Sequence, residues 1–431
     1  MSATTHVDLL DVGGSTSGVA AAVTAARLGL SVALVEHGSM LGGMSTGGAV
    51  GTFCGLYTSG ADRREIPTAL GRELVGRLMA DGRAMRLPIR YTDVVPYDIA
   101  AFARLLDEVV VDAGVTVLLR ATVFEVRRTD AGTIDQVRVA TVGGERRFTC
   151  AQLIDATGDA TVAYLAGDAV DVPATGTAQN ATLVFRMGNV DIDAMRTTDI
   201  EGAAELAREA AKEGFRLPRI GGNFYATVNP GEANCNMTGI AGYDFANPDD
   251  LTAAEMEGRR QVAEYVRFLR DRVPGFGDAY LSFHGSVLGV RESRRIVGRY
   301  TIDEHDVIGA REFPDGIGYA SWPIELHAAD GERWSWSEDG SWAEIPHRAL
   351  LPVGLDDVQA VGRCISATPE AHASTRVIIT GISMAEGAAV AAYHALDQGV
   401  RVADVDIAAV RATRDELVAA VTDGVDAARP V

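Results

Sequence analysis

The sequence predicts an α/β fold built on a parallel sheet, and three observations predict it. An apolar run ends at Val12 and gives way to the turn Gly13-Gly14-Ser15-Thr16-Ser17-Gly18. Val19 to Leu28 has the pattern of an alanine-rich helix, with Gly29 placed to stop it. Leu30 to Val35 is short, apolar and β-branched, as a buried parallel strand is, and Glu36 follows it 18 residues after Gly18. Strand, glycine turn, helix, strand and acid, with the acid near the usual spacing of roughly 20 residues, describe a dinucleotide-binding unit of the Rossmann type.

The chemistry behind that pattern is specific. A helix N-terminus offers unpaired amides and the positive end of a dipole, which together hold a pyrophosphate. Gly13 and Gly18 let backbone approach it, and Ala20, Ala21 and Ala22 let the helix lie close on the sheet. Two letters depart from the pattern. Ser15 replaces the middle glycine and brings a Cβ to the phosphate side, and Asp11 places a carboxylate inside the first strand, where it is costly unless paired.

Composition narrows the function. The formal charge of −20 over 431 residues argues against nucleic acid and anionic membrane surfaces as partners. The N-terminus lacks a basic segment followed by an apolar run, and no apolar stretch has the length of a membrane helix, so a cytoplasmic location is expected. Cys54, Cys150, Cys235 and Cys364 show no CxxC spacing, which argues against a dithiol reductase, and the eight histidines show no metal-ligand spacing, so no metal site is expected.

Taken in order, the chain next offers His37 to Gly48, rich in glycine, as a loop wrapped on the cofactor. Ala100 to Ala113 reads as a helix stopped by Gly114. Val115–Leu119, Ala121–Arg127, Gln136–Thr141 and Arg147–Ile154 read as strands, the last running into Ile154-Asp155-Ala156-Thr157-Gly158-Asp159, a second close approach to a cofactor. Further on, Gln179–Met187 reads as a strand and Ala203–Lys212 as a surface helix. Thr252–Val273 reads as a helix with a Thr252/Glu255 capping box, a Leu251/Met256 staple and a Pro274-Gly275 stop. Arg259, Arg260, Arg267 and Arg270 form its solvated face. Glu332–Ile345 reads as a hairpin around Asp339-Gly340, whose tryptophans either pack an edge or wall a substrate site. Val358–Val361 is a short strand, Gly362–Ser366 a turn, and Thr380–Leu396 a small-residue helix whose N-terminus suits a cofactor.

Five blocks carry a resemblance to a known family: Gly13–Gly18 with Glu36, Leu41–Gly48, Ile154–Ala160, Val290–Tyr300, and Val361–Val377. The chain resembles the FAD-dependent oxidoreductases of the group that includes fumarate-reductase-like and glucose-inhibited-division-like flavoproteins. The likeness implies a glutathione-reductase-like FAD-binding domain made from residues 1–166 and 346–431, with an inserted α+β substrate-facing domain at 167–345. It implies FAD held at the pyrophosphate by Gly13, Ser15, Thr16, Ser17 and Gly18, and at the adenosine ribose by Glu36 with His37 beside it. Gly42, Gly43, Met44 and Ser45 would follow the ribityl and phosphate chain, and Val123 would meet the adenine edge. Ala156, Thr157, Gly158 and Asp159 would flank the diphosphate, and Gly362, Arg363 and Arg376 would close on the flavin end. His37 stands where such proteins commonly have a basic residue, and Pro369 where they often have histidine, with His372 three residues on.

A second glycine-rich strand–turn–helix is not apparent, which argues against a built-in nicotinamide domain. The expected activity is hydride removal from a small or medium organic metabolite, as by a dehydrogenase, oxidase or desaturase, with electrons passed to oxygen or an external carrier. A flavin-dependent monooxygenase or halogenase, and a non-catalytic flavin-binding protein, stand as alternatives. His372 is the first candidate for the base, Arg376 for anchoring a carboxylate or polarising an oxygen, and Cys54 for a redox role or covalent flavin link, against a plain buried thiol. Arg291 belongs to an ion-paired block and could face the substrate. Oligomeric state stays open.

Overall fold

The computed structural model describes residues 4–89, 91–174, 176–328 and 331–427. Five parallel strands form the main sheet in the order Thr116–Leu118, Val32–Val35, Thr4–Val12, Gly144–Asp155 and Val358–Ala360. Gly144–Asp155 is long enough to serve twice. Its first half pairs antiparallel with Ile134–Thr141, which pairs with Thr122–Arg128, and its second half pairs with Val358–Ala360. The expected antiparallel layer is therefore a meander sharing a strand with the parallel sheet, and the sheet draws strands from both ends of the chain. This is a Rossmann-type α/β domain.

The helix Thr16–Arg27 lies on one face, its Val19–Val23 stretch wholly buried, and Gly29 ends it with φ +98°. Across it packs Ile378–Gln398, which starts two residues earlier than the sequence pattern suggests, with Val377 as its N-cap. Small residues make this crowding feasible. A Cβ on Gly387 would lie 2.1 Å from the carbonyl oxygen of Ile317, on the neighbouring strand Gly316–Ala320. Among the described residues no single helix is long and apolar enough to cross a membrane.

A second apolar cluster fills the middle of the chain. An antiparallel sheet, ordered Asn223–Ala226, Ala233–Asn236, Phe185–Gly188, Tyr280–His284, packs against the helix Pro248–Arg272 through Tyr265, Phe268 and Leu269. Only the end of the expected Gln179–Met187 strand is regular, because Ala181 and Thr182 bridge instead to Ile240 and Gly289. The long helix begins earlier than the Thr252/Glu255 reading. Asn247 caps the amides of Asp249 and Asp250, and Pro248 takes the first position, where a missing N–H costs nothing. Thr252 instead donates to the Pro248 carbonyl, Glu255 accepts from the Leu288 amide, and Met256 is exposed. Arg259, Arg260 and Arg267 pair along the helix with Glu255, Glu257 and Glu264, as a solvated face does.

The hairpin lies elsewhere than expected. Ile324–Ala328 pairs antiparallel with Gly331–Ser335, while Ala343–Pro346 pairs with Gly316–Ala320. Asp339-Gly340 is a loop seated on Gly60, with the Gly340 amide donating to the Ser59 carbonyl at 2.8 Å. Apolar residues from Ile302 to Ile345 join the core of the parallel-sheet unit rather than the middle cluster.

His347 ties this core to pH. It is buried, with one ring nitrogen 3.0 Å from Gln359 Oε1, and burial pushes its pKa down to about 4. The folded state thus resists a proton that the unfolded chain accepts near 6.5, so stability present above that pH is lost on acidification towards 4. The loss is on the order of 3 kcal/mol. The expected result is a melting temperature that falls between pH 6.5 and 4 in the parent protein and falls less in His347→Gln, measured by calorimetry across that range.

Candidate flavin site and adjoining cavity

The turn after the first strand is a cradle. The Gly13 amide donates to Val35 O at 2.8 Å and the Ala156 amide to Val12 O at 2.8 Å, so three strand ends converge there. A Cβ on Gly13 would lie 2.6 Å from the Ala156 carbonyl carbon, and one on Gly18 would lie 1.9 Å from Gly13 O. Ser15 does not obstruct the turn. Its hydroxyl donates to Ala156 O at 3.1 Å and accepts from the Gly18 amide at 3.3 Å, making it the N-cap of the helix that Thr16 and Ser17 begin. The serine exchanges glycine's freedom for a cap.

Glu36 is buried, and its carboxylate accepts from the Gly14 amide at 2.6 Å and from the Gly38 amide, with His37 Nδ1 at 3.1 Å. The Gly42 amide donates to Gly14 O at 2.7 Å, which lays Gly42–Ser45 across the turn, and Tyr97 anchors that loop through the Ser45 carbonyl at 2.7 Å. Beneath lies Asp11, with both carboxylate oxygens unpartnered; burial, then Asp155 and Glu36, drive its pKa well up. Val123 is committed to the meander core, two residues beyond Ala121, whose amide donates to Glu36 O at 2.9 Å.

Opposite the turn, Asp155 bonds the Thr157 hydroxyl and the Val162 amide, shaping Ala156–Asp159. Asp159 is held by Arg363 Nη2 at 2.7 Å and Ser293; burial opposes its ionisation, but Arg363, Ser293 and Arg294 together outweigh this and keep its carboxyl below the usual range. Gly362 meets Ser17 from the other end of the chain.

Beside these segments opens a cavity of about 190 Å³. Met44, Arg363, Arg376, Val377 and Ile378 line it next to the glycine turn and the Gly362 segment, and Asn236, Arg291, Trp322, Glu325 and His327 line it as well. Cys54 reaches it, with burial pushing the thiol up, away from thiolate chemistry. Arg376 reaches it as the C-cap of Pro369–Thr375. His372 does not. It is wholly buried behind the wall with Nε2 2.7 Å from Arg363 O, and burial drives its pKa well down, so it positions the Arg363 segment rather than facing a substrate. Pro369 takes the first helical position after the cap Thr368, which suits proline.

Sequence reading missed Glu325, His327 and Glu332. Glu325 and His327 share a strand face, and Glu332 lies directly across from His327 in the hairpin. His327 Nε2 is 3.0 Å from Glu325 Oε1 and Nδ1 is 3.3 Å from Glu332 Oε1, while Trp322 Nε1 donates to Glu325 Oε2 at 3.0 Å. Burial and Arg291 hold the imidazole pKa below its ordinary value against the two carboxylates. Burial opposes ionisation of Glu325, and His327, Arg376 and Arg291 outweigh it. Ligand atoms of the three lie within 4.8 Å of one another, but Arg219 occupies Glu332 and Arg291 stands close, so they are satisfied as a hydrogen-bonded chain. Of the tryptophans, Trp322 lines the cavity, Trp334 and Trp336 stack behind it, and Trp342 packs on Tyr319.

A Rossmann-type sheet with a glycine cradle, a capped helix N-terminus and a carboxylate at the second strand end defines an α/β flavin-type nucleotide binder, and the cradle that a Cβ would fill fits FAD. The chain belongs to the FAD dependent oxidoreductase family, whose family model matches residues 8–413. It is an FAD-dependent oxidoreductase. It matches no curated protein sequence. Among solved structures, it is similar to a geranylgeranyl bacteriochlorophyll reductase-like protein from Thermoplasma acidophilum, with TM-score 0.49 and 14% identity, covering 96% of this chain and 84% of that one. It is also similar to p-nitrophenol 4-monooxygenase from Pseudomonas putida, with TM-score 0.46, 12% identity and coverage of 98% and 82%. For PqsL from P. aeruginosa the values are 0.46, 16%, 97% and 94%.

Proposed function

We propose that this flavoprotein removes a hydride from a small organic metabolite held in the cavity and passes the electrons to oxygen or an external carrier. The supporting observation is the shared wall: Met44, Arg363, Val377 and Ile378 belong to cofactor segments and line the same cavity as Arg291, Glu325 and His327. In this reading Gly13 to Gly18 hold the diphosphate, Glu36 the ribose, Gly42 to Ser45 the connecting chain, Ala156 to Asp159 the far side of the diphosphate, and Gly362 with Arg363 the flavin end. Bound FAD supplies the hydride acceptor. The N-terminus of Ile378–Gln398 brings free amides and a positive dipole end to the cavity wall, where they stabilise negative charge. The role of base passes from His372 to Glu325 and His327: Glu325 takes the proton at the cavity, and His327, 3.0 Å away, holds it between two carboxylates.

The test is the visible spectrum of purified protein before and after acid precipitation, followed by anaerobic bleaching with candidate metabolites. Yellow protein that releases FAD and bleaches is the expected result. Oxygen from labelled O₂ appearing in product would transfer the reading to a monooxygenase, and colourless protein that refuses FAD would end it.

A further inference from the structure

Two buried guanidinium groups at the cavity make no ion pair among the described residues and share a single nearby carboxylate, Glu325. Arg291 is only 8% exposed, and its hydrogen bonds run from Nη1 alone, to the Asn180 carbonyl and, at 2.7 Å, to the Thr182 hydroxyl. Arg376 has a buried Nε without a partner and a single long bond, from Nη2 to the Glu325 carbonyl at 3.5 Å. Among the described residues neither has a carboxylate at ion-pair distance, whereas Arg363, Arg295 and Arg219 around them do. A guanidinium does not shed its proton to escape this cost. The nearest carboxylate, Glu325, stands beyond ion-pair distance, is shared between the two and is already engaged by His327 and Trp322, so buried cations whose direct hydrogen-bond partners are neutral have room for a further anion from outside the chain. The contrast with the −20 net charge of the whole chain sharpens the point, since the cavity gathers cations that the rest of the molecule outnumbers.

The remaining walls say what the anion is attached to. Val184, Val290, Trp322, Val377 and Ile378 present apolar surface, and the volume of about 190 Å³ suits a body the size of one ring or a short chain. We propose that Arg291 and Arg376 form a carboxylate-binding end of the substrate site, so that the enzyme acts on a small organic acid with an apolar body. This rests on reading the cavity as the substrate side of the flavin site. A planar carboxylate matches the guanidinium fork, and in a desolvated cavity such a pair fixes which carbon faces the cofactor.

The experiment titrates FAD-loaded protein with benzoate, phenylacetate and hexanoate, each against its neutral amide, and with inorganic phosphate, following flavin absorbance and tryptophan fluorescence. At least one carboxylate is expected to bind saturably, at least tenfold tighter than its amide and than phosphate. Arg291→Gln and Arg376→Gln are each expected to weaken it tenfold or more when binding is measured per flavin-loaded molecule, with Arg291→Lys recovering part of the loss. Equal binding of acid and amide, tighter binding of phosphate, no saturation by any of the acids, or affinity unaltered in both Gln variants would overturn the proposal. Binding to flavin-free protein that disappears on loading FAD would also overturn it, because the cofactor would then be the partner of the arginines. Protein that refuses FAD yet binds the acids through Arg291 would remove the oxidoreductase reading and leave the subsite standing.

Discussion

Gly18→Ala is expected to purify with less than a tenth of the parent's FAD and with lowered thermal stability. The new methyl would sit 1.9 Å from Gly13 O and 3.1 Å from the Ala156 Cβ, so backbone rather than a rotatable side chain must yield. Overpacking against rigid neighbours costs about 1–3 kcal/mol in ordinary cores, and a backbone collision belongs at or beyond the top of that range. Any movement that relieves it widens the turn and misaims the first amides of the helix, which are proposed to hold the diphosphate. Gly29→Ala separates crowding from strain. Gly29 has φ +98° but nothing within 4 Å of its Cβ position, so its substitution is expected to cost about 1 kcal/mol and to leave flavin content intact. Flavin content by absorbance, with melting compared against deflavinated parent protein, decides the matter. Full flavin content in Gly18→Ala would show that the cofactor is not held at this turn.

The parallel-sheet unit was legible because its signals are local and reinforce one another. Val32–Val35 is buried at every position and the alternatives to a parallel strand are few, while Gly13, Gly18 and Gly29 mark where backbone turns or crowds. Ser15, read as a weakness of the turn, becomes its cap, because serine adjoining a helix start has an amide within reach of its hydroxyl. The cavity was less legible, because it is assembled from segments far apart in sequence, with Arg291, the strand that carries Glu325 and His327, and Arg376 arriving from three separate places in the chain. Between Ile324 and Ile345 the sequence carries two Asp-Gly pairs, at 330–331 and 339–340, and pairing of Ile324–Ala328 with Gly331–Ser335 uses the stretch that the first interrupts. Alternation in Ile324-Glu325-Leu326-His327 was the signal that would have found the cavity face, since residues two apart on a strand share a side. His372 misled for the converse reason. Its neighbours Ala371, Ala373, Ser374 and Thr375 are all buried, and a short helix so enclosed cannot present a base to substrate.

His327→Gln and Glu325→Gln are expected to retain FAD and to slow anaerobic bleaching, by whichever metabolite reduces the parent, by a factor of roughly 10²–10³, the usual worth of a positioned acid–base group. The two variants fail for different reasons. Glu325→Gln removes the carboxylate that meets the cavity, and His327→Gln removes the imidazole that receives its proton at 3.0 Å and shares it with Glu332 at 3.3 Å. The pH profile carries the sign. Because burial and Arg291 hold the His327 pKa below 6.5, the imidazole is free to accept a proton at neutral pH, and the bleaching rate falls only as pH drops through that lowered value. That acid limb is expected in the parent and absent from the residual rate of His327→Gln. His372→Gln supplies the contrast: with its ring turned to Arg363 O and no face on the cavity, it is expected to alter flavin retention or stability while the acid limb persists. Parent-like bleaching in both Glu325→Gln and His327→Gln would return the proton step to another group. The same limb surviving in His327→Gln would show that the hairpin chain orders the cavity without moving the proton.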